Sequence, residues 1–341
     1  MLDKRNLEQI LSDQQEELEI RRGETLCHRP EEAQIDLGST QAQVVIGVRR
    51  SGKSTLCFQA LEKAGVKYAY VDFDDERLAN IQAEDLNDVL EVLYKIYGDF
   101  NYLFLDEIQE CPEAIMALRF FKEDYPGLHV IAAGFLLEFT LQELPTYGVG
   151  RIHTLFMYPM TFDEFLKAND ENGLIDMKGQ ADSRHPLDDA FHEKLVEYFR
   201  IYLLVGGMPE AVLAWIKTHD FNQCSRVQED IILTYDDDFS KYKKRVSPDL
   251  LRTTMRGICH QPGEKITFKQ ISADYRSSQI REAVRLLTLA GLTTPVVATS
   301  GNGIPLDAEA NEKNMKILFL DSGLLLTVLQ LEGNLAQHLI E

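Results

Sequence analysis

Hydrophobic and polar positions between residues 41 and 160 alternate in the way that is typical of strands separated by helices. Continuous apolar runs predict five buried strands, at 43–47, 68–73, 102–106, 129–133 and 152–158. Stretches with helical spacing or capping signals lie between them, over 54–64 and 85–97 and from Pro112 onward. Strands that are apolar on both faces need helices on both sides. The pattern predicts an α/β domain with a parallel sheet flanked by helices.

The two ends of the chain have different patterns. Residues 1–40 predict a helix and then an extended linker, because Arg29-Pro30 ends a helix. Residues 187–240 show helical spacing alone. Residues 241–300 predict three helices and then a strand and turn that begin a β-hairpin, which is the element order of a winged helix. Its recognition helix is expected at 278–290.

The composition is that of a globular protein kept in a reducing compartment. Of its 341 residues, 45% are hydrophobic and 26% charged, which excludes disorder. No apolar run reaches the roughly 18 residues of a membrane span, and the N-terminus lacks the apolar stretch of a secretory signal. The five cysteines form no CxxC pair. We therefore expect a cytoplasmic protein with no membrane association, disulfide framework or zinc site.

Charge is unevenly distributed along the chain. The formal net charge is −20, yet residues 241–300 hold eleven Lys and Arg against four Asp and Glu, a net of +7. The rest of the chain therefore carries −27. An acidic protein repels nucleic acid, whereas a basic segment within it can still bind a phosphate backbone.

Residues 47–54 carry the clearest chemical signal. Their sequence, GVRRSGKS, fits G-x-x-x-x-G-K-[ST] between a predicted strand and a predicted helix. The glycines let backbone N–H groups turn toward a β-phosphate, and the helix N-terminus adds its positive dipole end. Lys53 is expected to bridge β- and γ-oxygens, and Ser54 to ligate Mg²⁺. The predicted ATP-binding set is Gly47, Arg49, Arg50, Ser51, Gly52, Lys53, Ser54 and Thr55.

The strand at 102–106 ends in two acidic residues, Asp106 and Glu107. A buried parallel strand in this position would deliver its last carboxylates beside the phosphate loop. We expect Asp106 to hold Mg²⁺, directly or through water, and Glu107 to polarise the attacking water. A strand that simply ends in a solvated acidic turn is the alternative interpretation of this segment taken alone.

Six short segments together resemble one group of prokaryotic AAA-type ATPases. They are Gly47–Thr55, Leu103–Gln109, Gly150-Arg151, Tyr158–Phe165, Gly206–Pro209 and Leu320–Leu325. That group is related to the signalling ATPases called STAND and combines a P-loop core, a winged helix and a C-terminal nuclease-like domain of unknown function. The resemblance implies ATP binding and hydrolysis.

The resemblance also implies a domain order. After the N-terminal helix and linker at 1–40, it implies a P-loop ATPase core at 41–170, a helical lid at 187–240 and a winged helix at 241–300. Residues 315–341 are expected to be the truncated start of the nuclease-like domain, because the chain stops at Glu341.

The resemblance predicts roles for Arg151 and Pro209, and the chain departs from the family pattern at Phe135. Arg151 would neutralise γ-phosphate charge in cis, act on a neighbouring subunit, or pair with a nearby acid. Pro209 would pack on adenine or only begin a helix. Phe135 stands where the family places a small polar residue that can sense the γ-phosphate. Since a phenyl ring donates no hydrogen bond, either sensing is lost here or Phe135 packs under the sheet and a neighbour senses instead.

Two functions follow from these observations. The first is an ATPase switch that couples nucleotide state to the position of the winged helix. The alternative is a nucleotide-gated interaction or regulatory protein with little or no hydrolysis, whose winged helix contacts protein. For the basic segment, Arg276, Arg281 and Arg285 either bind double-stranded DNA weakly or clamp the winged helix against the acidic ATPase core.

Overall fold

Five parallel strands form the centre of the first of two units. The computed structural model describes residues 3–21, 28–135, 151–242 and 245–331, and it divides into Met1–Tyr158 and Pro159–Glu341. The strands are β1 (Ala42–Gly47), β2 (Tyr68–Asp72), β3 (Tyr102–Asp106), β4 (His129–Gly134) and β5 (Ile152–Met157). Their order in the sheet is β2-β3-β4-β1-β5, with every neighbouring pair parallel. The predicted parallel sheet is confirmed.

Among the described residues, four helices flank this sheet. They are α1 (Lys4–Arg21), α2 (Lys53–Ala64), α3 (Asp85–Tyr97) and α4 (Pro112–Asp124). Gly65 follows the last residue of α2 as its C-cap. Its φ of +63° is the left-handed conformation that commonly terminates a helix. Helix α4 begins with Pro112, which needs no N–H partner in the first turn. These local signals explain why the helix boundaries follow the sequence closely.

Alternate residues of each strand enter two separate cores, so the sheet is buried on both faces. On β1, Val44 and Ile46 pack in one core with apolar residues of α1, α3 and α4. Val45, between them, packs in the other core with residues of α2. This is the two-residue period of a strand with helices on both sides.

Helix α1 packs within the first unit, whereas the sequence analysis placed residues 1–40 before the ATPase core as a helix and linker. Leu7, Ile10 and Leu11 are buried in the core that also contains α3. Gln14 is buried, and its side chain accepts a hydrogen bond from the backbone N–H of Asp72 (3.0 Å) and donates one to the carbonyl of the same residue (2.9 Å). Since β2 is an edge strand, this amide takes the place of a neighbouring strand at that position.

The second unit is mainly helical. Its helices are α5 (Phe162–Ala168), α6 (Asn172–Gln180), α7 (Asp189–Val205), α8 (Pro209–Thr218), α9 (Phe221–Asp238), α10 (Pro248–Cys259), α11 (Phe268–Ile271), α12 (Ser277–Leu289) and α13 (Ser322–Val328). Helix α5 was not predicted from the sequence, although Thr161 and Glu164 form a capping box at its start. No helix in the described ranges is long and apolar enough to cross a membrane.

The three helices α10, α11 and α12 are followed by an antiparallel hairpin of β6 (Thr293–Thr299) and β7 (Ala310–Phe319). The element order is the one that the sequence predicts for a winged helix. Strand β7 extends past the predicted boundary at 300 and across the predicted start of a new domain at 315. That start is wrong, because it would divide a strand whose residues pair with β6 from Thr293↔Phe319 to Thr299↔Ala310. The nuclease-like character of the last residues stays a prediction, and 332–341 lie outside the described residues.

A buried carboxylate joins three segments within the second unit. Asp321 accepts hydrogen bonds from the backbone N–H groups of Gly207 (2.6 Å) and Leu324 (3.0 Å), and burial raises its pKa. The backbone of Gly207 also pairs with Met160, whose N–H donates to the Gly207 carbonyl at 2.6 Å. A Cβ on Gly207 would collide with the Met160 backbone. Glycine is therefore required here for close packing.

We expect Gly207→Ala to lower the free energy of unfolding of the second unit by about 1–3 kcal/mol, because the methyl group must displace packed backbone. Trp215 is the single tryptophan and lies in α8, so its fluorescence during urea unfolding reports on this unit.

Gly179→Ala is the matched control. An added Cβ there meets nothing within 4 Å inside helix α6, so we expect no loss or a gain of about 0.5–1 kcal/mol. Equal stability of the two variants would contradict the packing role of Gly207.

Candidate functional site

The loop between β1 and α2 has a conformation that its glycines make available. Gly47 has a φ of +152°, and a Cβ on it would collide with the carbonyl oxygen of Met157 in β5. Arg50 and Gly52 have φ values of +62° and +93°. The N–H and Oγ of Ser51 both donate to the Val48 carbonyl, at 3.3 and 2.9 Å. The chain thus curls tightly at the carboxyl end of β1 before it enters the helix.

Lys53 begins helix α2 and is buried, with 4% of its surface exposed. Its Nζ donates to the Val48 carbonyl at 3.0 Å, inside its own loop. Burial lowers the pKa of this ammonium group, while the negative charges of Glu107 and Asp106 oppose that shift. A buried ammonium at the start of a helix favours the arrival of an anion such as phosphate.

Asp106 ends β3 next to the same helix. Its Oδ1 accepts from the Ser54 hydroxyl at 2.8 Å, and its Oδ2 lies 3.4 Å from the Tyr70 hydroxyl. Burial raises the pKa of Asp106 to about 7, and the charges of Glu107 and Asp72 add to the shift. A hydroxyl and a carboxylate in contact are hard oxygen ligands that fit Mg²⁺. In the described part of the chain no cluster of three or more His, Cys, Asp or Glu side chains could hold a metal.

Glu107 follows directly and has a left-handed backbone conformation, with φ +46°. Its N–H donates to Asp106 Oδ1 at 3.1 Å. Its Oε2 accepts from the Gln109 side chain at 2.6 Å, and Gln109 in turn accepts from the backbone N–H of Phe135 at 3.1 Å. Gln109 had no predicted role. The available signal was its place at the end of the segment Leu103–Gln109, two residues after Glu107.

Phe135 is buried, with 2% of its surface exposed, at the end of β4. The guanidinium carbon of Arg49 lies 4.2 Å from the centre of its ring. At this distance the ring attracts the cation electrostatically. Phe135 thus packs in the first unit and also positions an arginine of the phosphate loop.

The structure contradicts the prediction that Arg151 contacts a γ-phosphate in cis. Ala42 pairs with Ile152 and Gly47 with Met157, so the two ends of β5 lie at opposite edges of the sheet. Arg151 precedes Ile152 and is separated from the phosphate loop by about 17 Å, at roughly 3.3 Å per strand residue. Its guanidinium pairs with Glu123 at 2.7 Å. Action on a neighbouring subunit stays a prediction.

The remaining predicted residues fall at different places. Thr55 lies in the first turn of α2, and Arg50 is exposed in the loop. Pro209 occupies the first position of α8 in the second unit, and its contact with adenine stays a prediction. Gly150 lies outside the described residues.

Two protein-family models match the chain. Residues 39–166 match an AAA domain. Residues 196–335 match a domain of unknown function (DUF8612), which spans the predicted lid and winged helix as one family unit. The first match, together with the loop geometry, supports an AAA-type P-loop ATPase domain in the first half of the chain.

Curated relatives share moderate identity over part of the chain. An uncharacterized protein of Methanocaldococcus jannaschii is 29% identical over 215 residues, which cover 62% of this chain and 45% of that protein. An uncharacterized protein of Haemophilus influenzae is 27% identical over 183 residues, covering 50% of this chain and 40% of that protein. Each match therefore spans less than half of the relative's length.

Solved structures with low overall similarity include the Thermotoga maritima RuvB Holliday junction branch migration motor, at a TM-score of 0.35 and 16% identity. That match covers 80% of this chain and 86% of RuvB. Another is Cdc6p from Pyrobaculum aerophilum, at a TM-score of 0.32 and 12% identity, covering 91% of this chain and 93% of Cdc6p. Both TM-scores are below 0.5, so neither structure identifies a residue or partner of this chain.

The position of Arg151 predicts how two arginine variants differ. We expect Arg151→Met to leave the dissociation constant for a fluorescent ATP analogue unchanged within twofold, because the side chain lies at the opposite sheet edge. Arg49→Met should weaken binding about tenfold or more, through loss of a charged contact worth roughly 1.5–3 kcal/mol. Equal losses in the two variants would place Arg151 at the nucleotide after all.

Proposed function

We propose that this protein binds ATP with Mg²⁺ and hydrolyses it to ADP and phosphate in its first unit. The observation that best supports the proposal is the 2.8 Å hydrogen bond between Ser54 and Asp106. It joins the phosphate loop to the acidic end of β3, where Glu107 follows. A metal-ligating pair, a buried ammonium group and a carboxylate for water therefore occupy one sheet edge.

Each residue has a distinct part in the proposed reaction. Lys53 contacts the β- and γ-phosphates and stabilises the charge that develops as the bond from the γ-phosphorus to the bridging oxygen breaks. Glu107 orients the attacking water and accepts its proton as the water oxygen bonds to phosphorus. Ser54 and Asp106 would hold Mg²⁺, which would supply neutralising charge to the phosphate oxygens. ADP and phosphate are the products.

We further propose that nucleotide state controls the second unit, which carries the predicted winged helix. The alternative is a nucleotide-gated interaction protein with little turnover. It is favoured by Phe135, which offers no polar side-chain atom at the end of β4. Both functions require nucleotide binding, and they differ in the expected rate of ATP hydrolysis.

Two substitutions separate binding from turnover. Lys53→Ala should reduce ATP affinity by at least tenfold or abolish turnover, because the phosphates lose their cation within the loop. Glu107→Gln should keep ATP affinity within about threefold and lower the hydrolysis rate by about 100-fold or more, in line with the loss of a general base. Phosphate release and analogue binding are the measurements.

Lys63→Ala and Glu123→Gln are matched controls. Lys63 lies later on α2 and pairs with Glu32 at 2.8 Å, and Glu123 pairs with Arg151 at the opposite sheet edge. Both should behave as wild type. Equal hydrolysis by wild type and Glu107→Gln would disprove the role of Glu107. Nucleotide binding without turnover in the wild type would favour the interaction protein.

The partner of the second unit is proposed to be double-stranded DNA or the acidic first unit itself. Arg285 pairs with Glu282 of its own helix at 2.7 Å, and Arg281 lies 5.8 Å from the ring of Phe268. Lys243 and Lys244 lie outside the described residues. Two arginines of the predicted recognition helix therefore already have partners within the segment, which predicts weak DNA binding.

Fluorescence anisotropy with a DNA duplex at low salt, with ATP, with ADP and without nucleotide, tests this partner. Neutralising about four to six phosphates should make the affinity fall as roughly the −4 to −5 power of salt concentration. Binding that is absent in every state would exclude DNA and leave the clamp. Binding that is unchanged when Arg281→Glu and Arg285→Glu are combined would exclude contact with DNA through these two arginines.

A further inference from the structure

Gln109 holds the carboxylate of Glu107 through a side chain that is itself fixed at both ends. Its Nε2 donates to Glu107 Oε2 at 2.6 Å, and its Oε1 accepts from the N–H of Phe135 at 3.1 Å. The Phe135 N–H can only donate, so it requires the amide oxygen of Gln109 on its side. The amide NH₂ group must therefore face Glu107.

The backbone that carries Gln109 is equally constrained. Residues Ile108–Glu110 form a 3₁₀ turn, closed by bonds from the Glu110 N–H to the Glu107 carbonyl and from the Cys111 N–H to the Ile108 carbonyl. Ile108 is completely buried in the core of the first unit. This anchor keeps Gln109 at a fixed distance from the end of β3.

Glu107 itself needs such support. Its backbone has φ +46°, a conformation that costs a residue with a side chain free energy and persists where its surroundings enforce it. Its Oε1 accepts no hydrogen bond from any of the described residues. One carboxylate oxygen is thus held and the other is available for a water molecule.

We propose that Gln109 is the positioning residue that orients Glu107 toward the attacking water. The inference rests on the proposed ATPase function and deepens it. By binding Oε2, Gln109 selects Oε1 as the oxygen that takes the proton, and through Phe135 it ties this orientation to the end of β4. Gln109 acts through Glu107 and makes no contact with the nucleotide.

Two variants of Gln109 separate its two bonds. Gln109→Met removes both, whereas Gln109→Glu keeps an acceptor for the Phe135 N–H and loses the donor to Glu107. We expect both to lower kcat by about 10- to 100-fold, the scale of a misplaced reacting group. KM for ATP and the affinity for an ATP analogue should stay within twofold of wild type. Thermal unfolding of each variant verifies that it is folded.

A double-mutant cycle distinguishes positioning from a general structural role. If Gln109 acts only through Glu107, Gln109→Met should lower the residual single-turnover rate of Glu107→Gln by less than twofold. Additive losses would overturn the proposal, as would a kcat for Gln109→Met within twofold of wild type. A parallel loss of analogue affinity and stability would also overturn it.

The same measurements distinguish this inference from the function on which it rests. A wild-type protein that hydrolyses ATP, with Gln109→Met equally active, would exclude the role of Gln109 alone. A wild-type protein that binds the analogue and hydrolyses no ATP would overturn both the ATPase function and the positioning role. A Gln109→Glu variant as active as wild type would show that the bond to Phe135 suffices, and would also overturn the proposal.

Discussion

The parallel register of the first unit is the constraint on which the candidate site depends. Because all five strands run in one direction, their carboxyl ends meet at one edge of the sheet. The phosphate loop follows β1, Asp106 and Glu107 follow β3, and Phe135 follows β4. The neighbouring strand β5 comes so close to β1 at this edge that the first loop residue must be Gly47. Packing and chemistry therefore impose conditions on the same few positions.

Burial has opposite effects on the two charged groups at this edge. It lowers the pKa of the Lys53 ammonium and raises that of the Asp106 carboxyl, because in both cases the charged form is separated from water. A ligand of opposite charge would therefore stabilise the charged form of each group. A polyphosphate beside Lys53 and a divalent cation beside Asp106 would supply the missing charges together. This complementarity explains why the nucleotide and the metal are expected to bind as one complex.

Much of this site could be predicted from sequence, because its signals are local. The spacing in residues 47–54 and the acidic end of the strand at 102–106 each follow from a few adjacent residues. Arg151 was misplaced for a different reason. A residue that precedes a parallel strand lies at the amino edge of the sheet. Its distance from the phosphate loop therefore follows from the sheet topology, which the resemblance of a short segment does not reveal.

The missed contacts required knowledge of three-dimensional distance. Strand β7 contains several polar residues and pairs with β6 across an intervening ten-residue loop, so the sequence predicted a hairpin here without the bounds of its second strand. Gln109 is linked to Phe135, which is 26 positions away. Neither the β6–β7 pairing nor the bond from Phe135 to Gln109 follows from a periodic pattern in the sequence. The sequence thus predicts the elements and the reactive groups, while the contacts that orient those groups appear only in the folded chain.

The hydrogen bonds of Gln14 with the edge strand β2 affect which fragment of the chain would keep the first unit intact. The AAA match begins at residue 39, whereas α1 ends at Arg21. A fragment trimmed to the matched residues would lose the amide that pairs with Asp72 and the leucines that cover the adjacent core. It would present an open strand edge beside an apolar surface, the combination that promotes pairing between separate molecules. The packed unit therefore begins earlier in the chain than the segment that the AAA model matches.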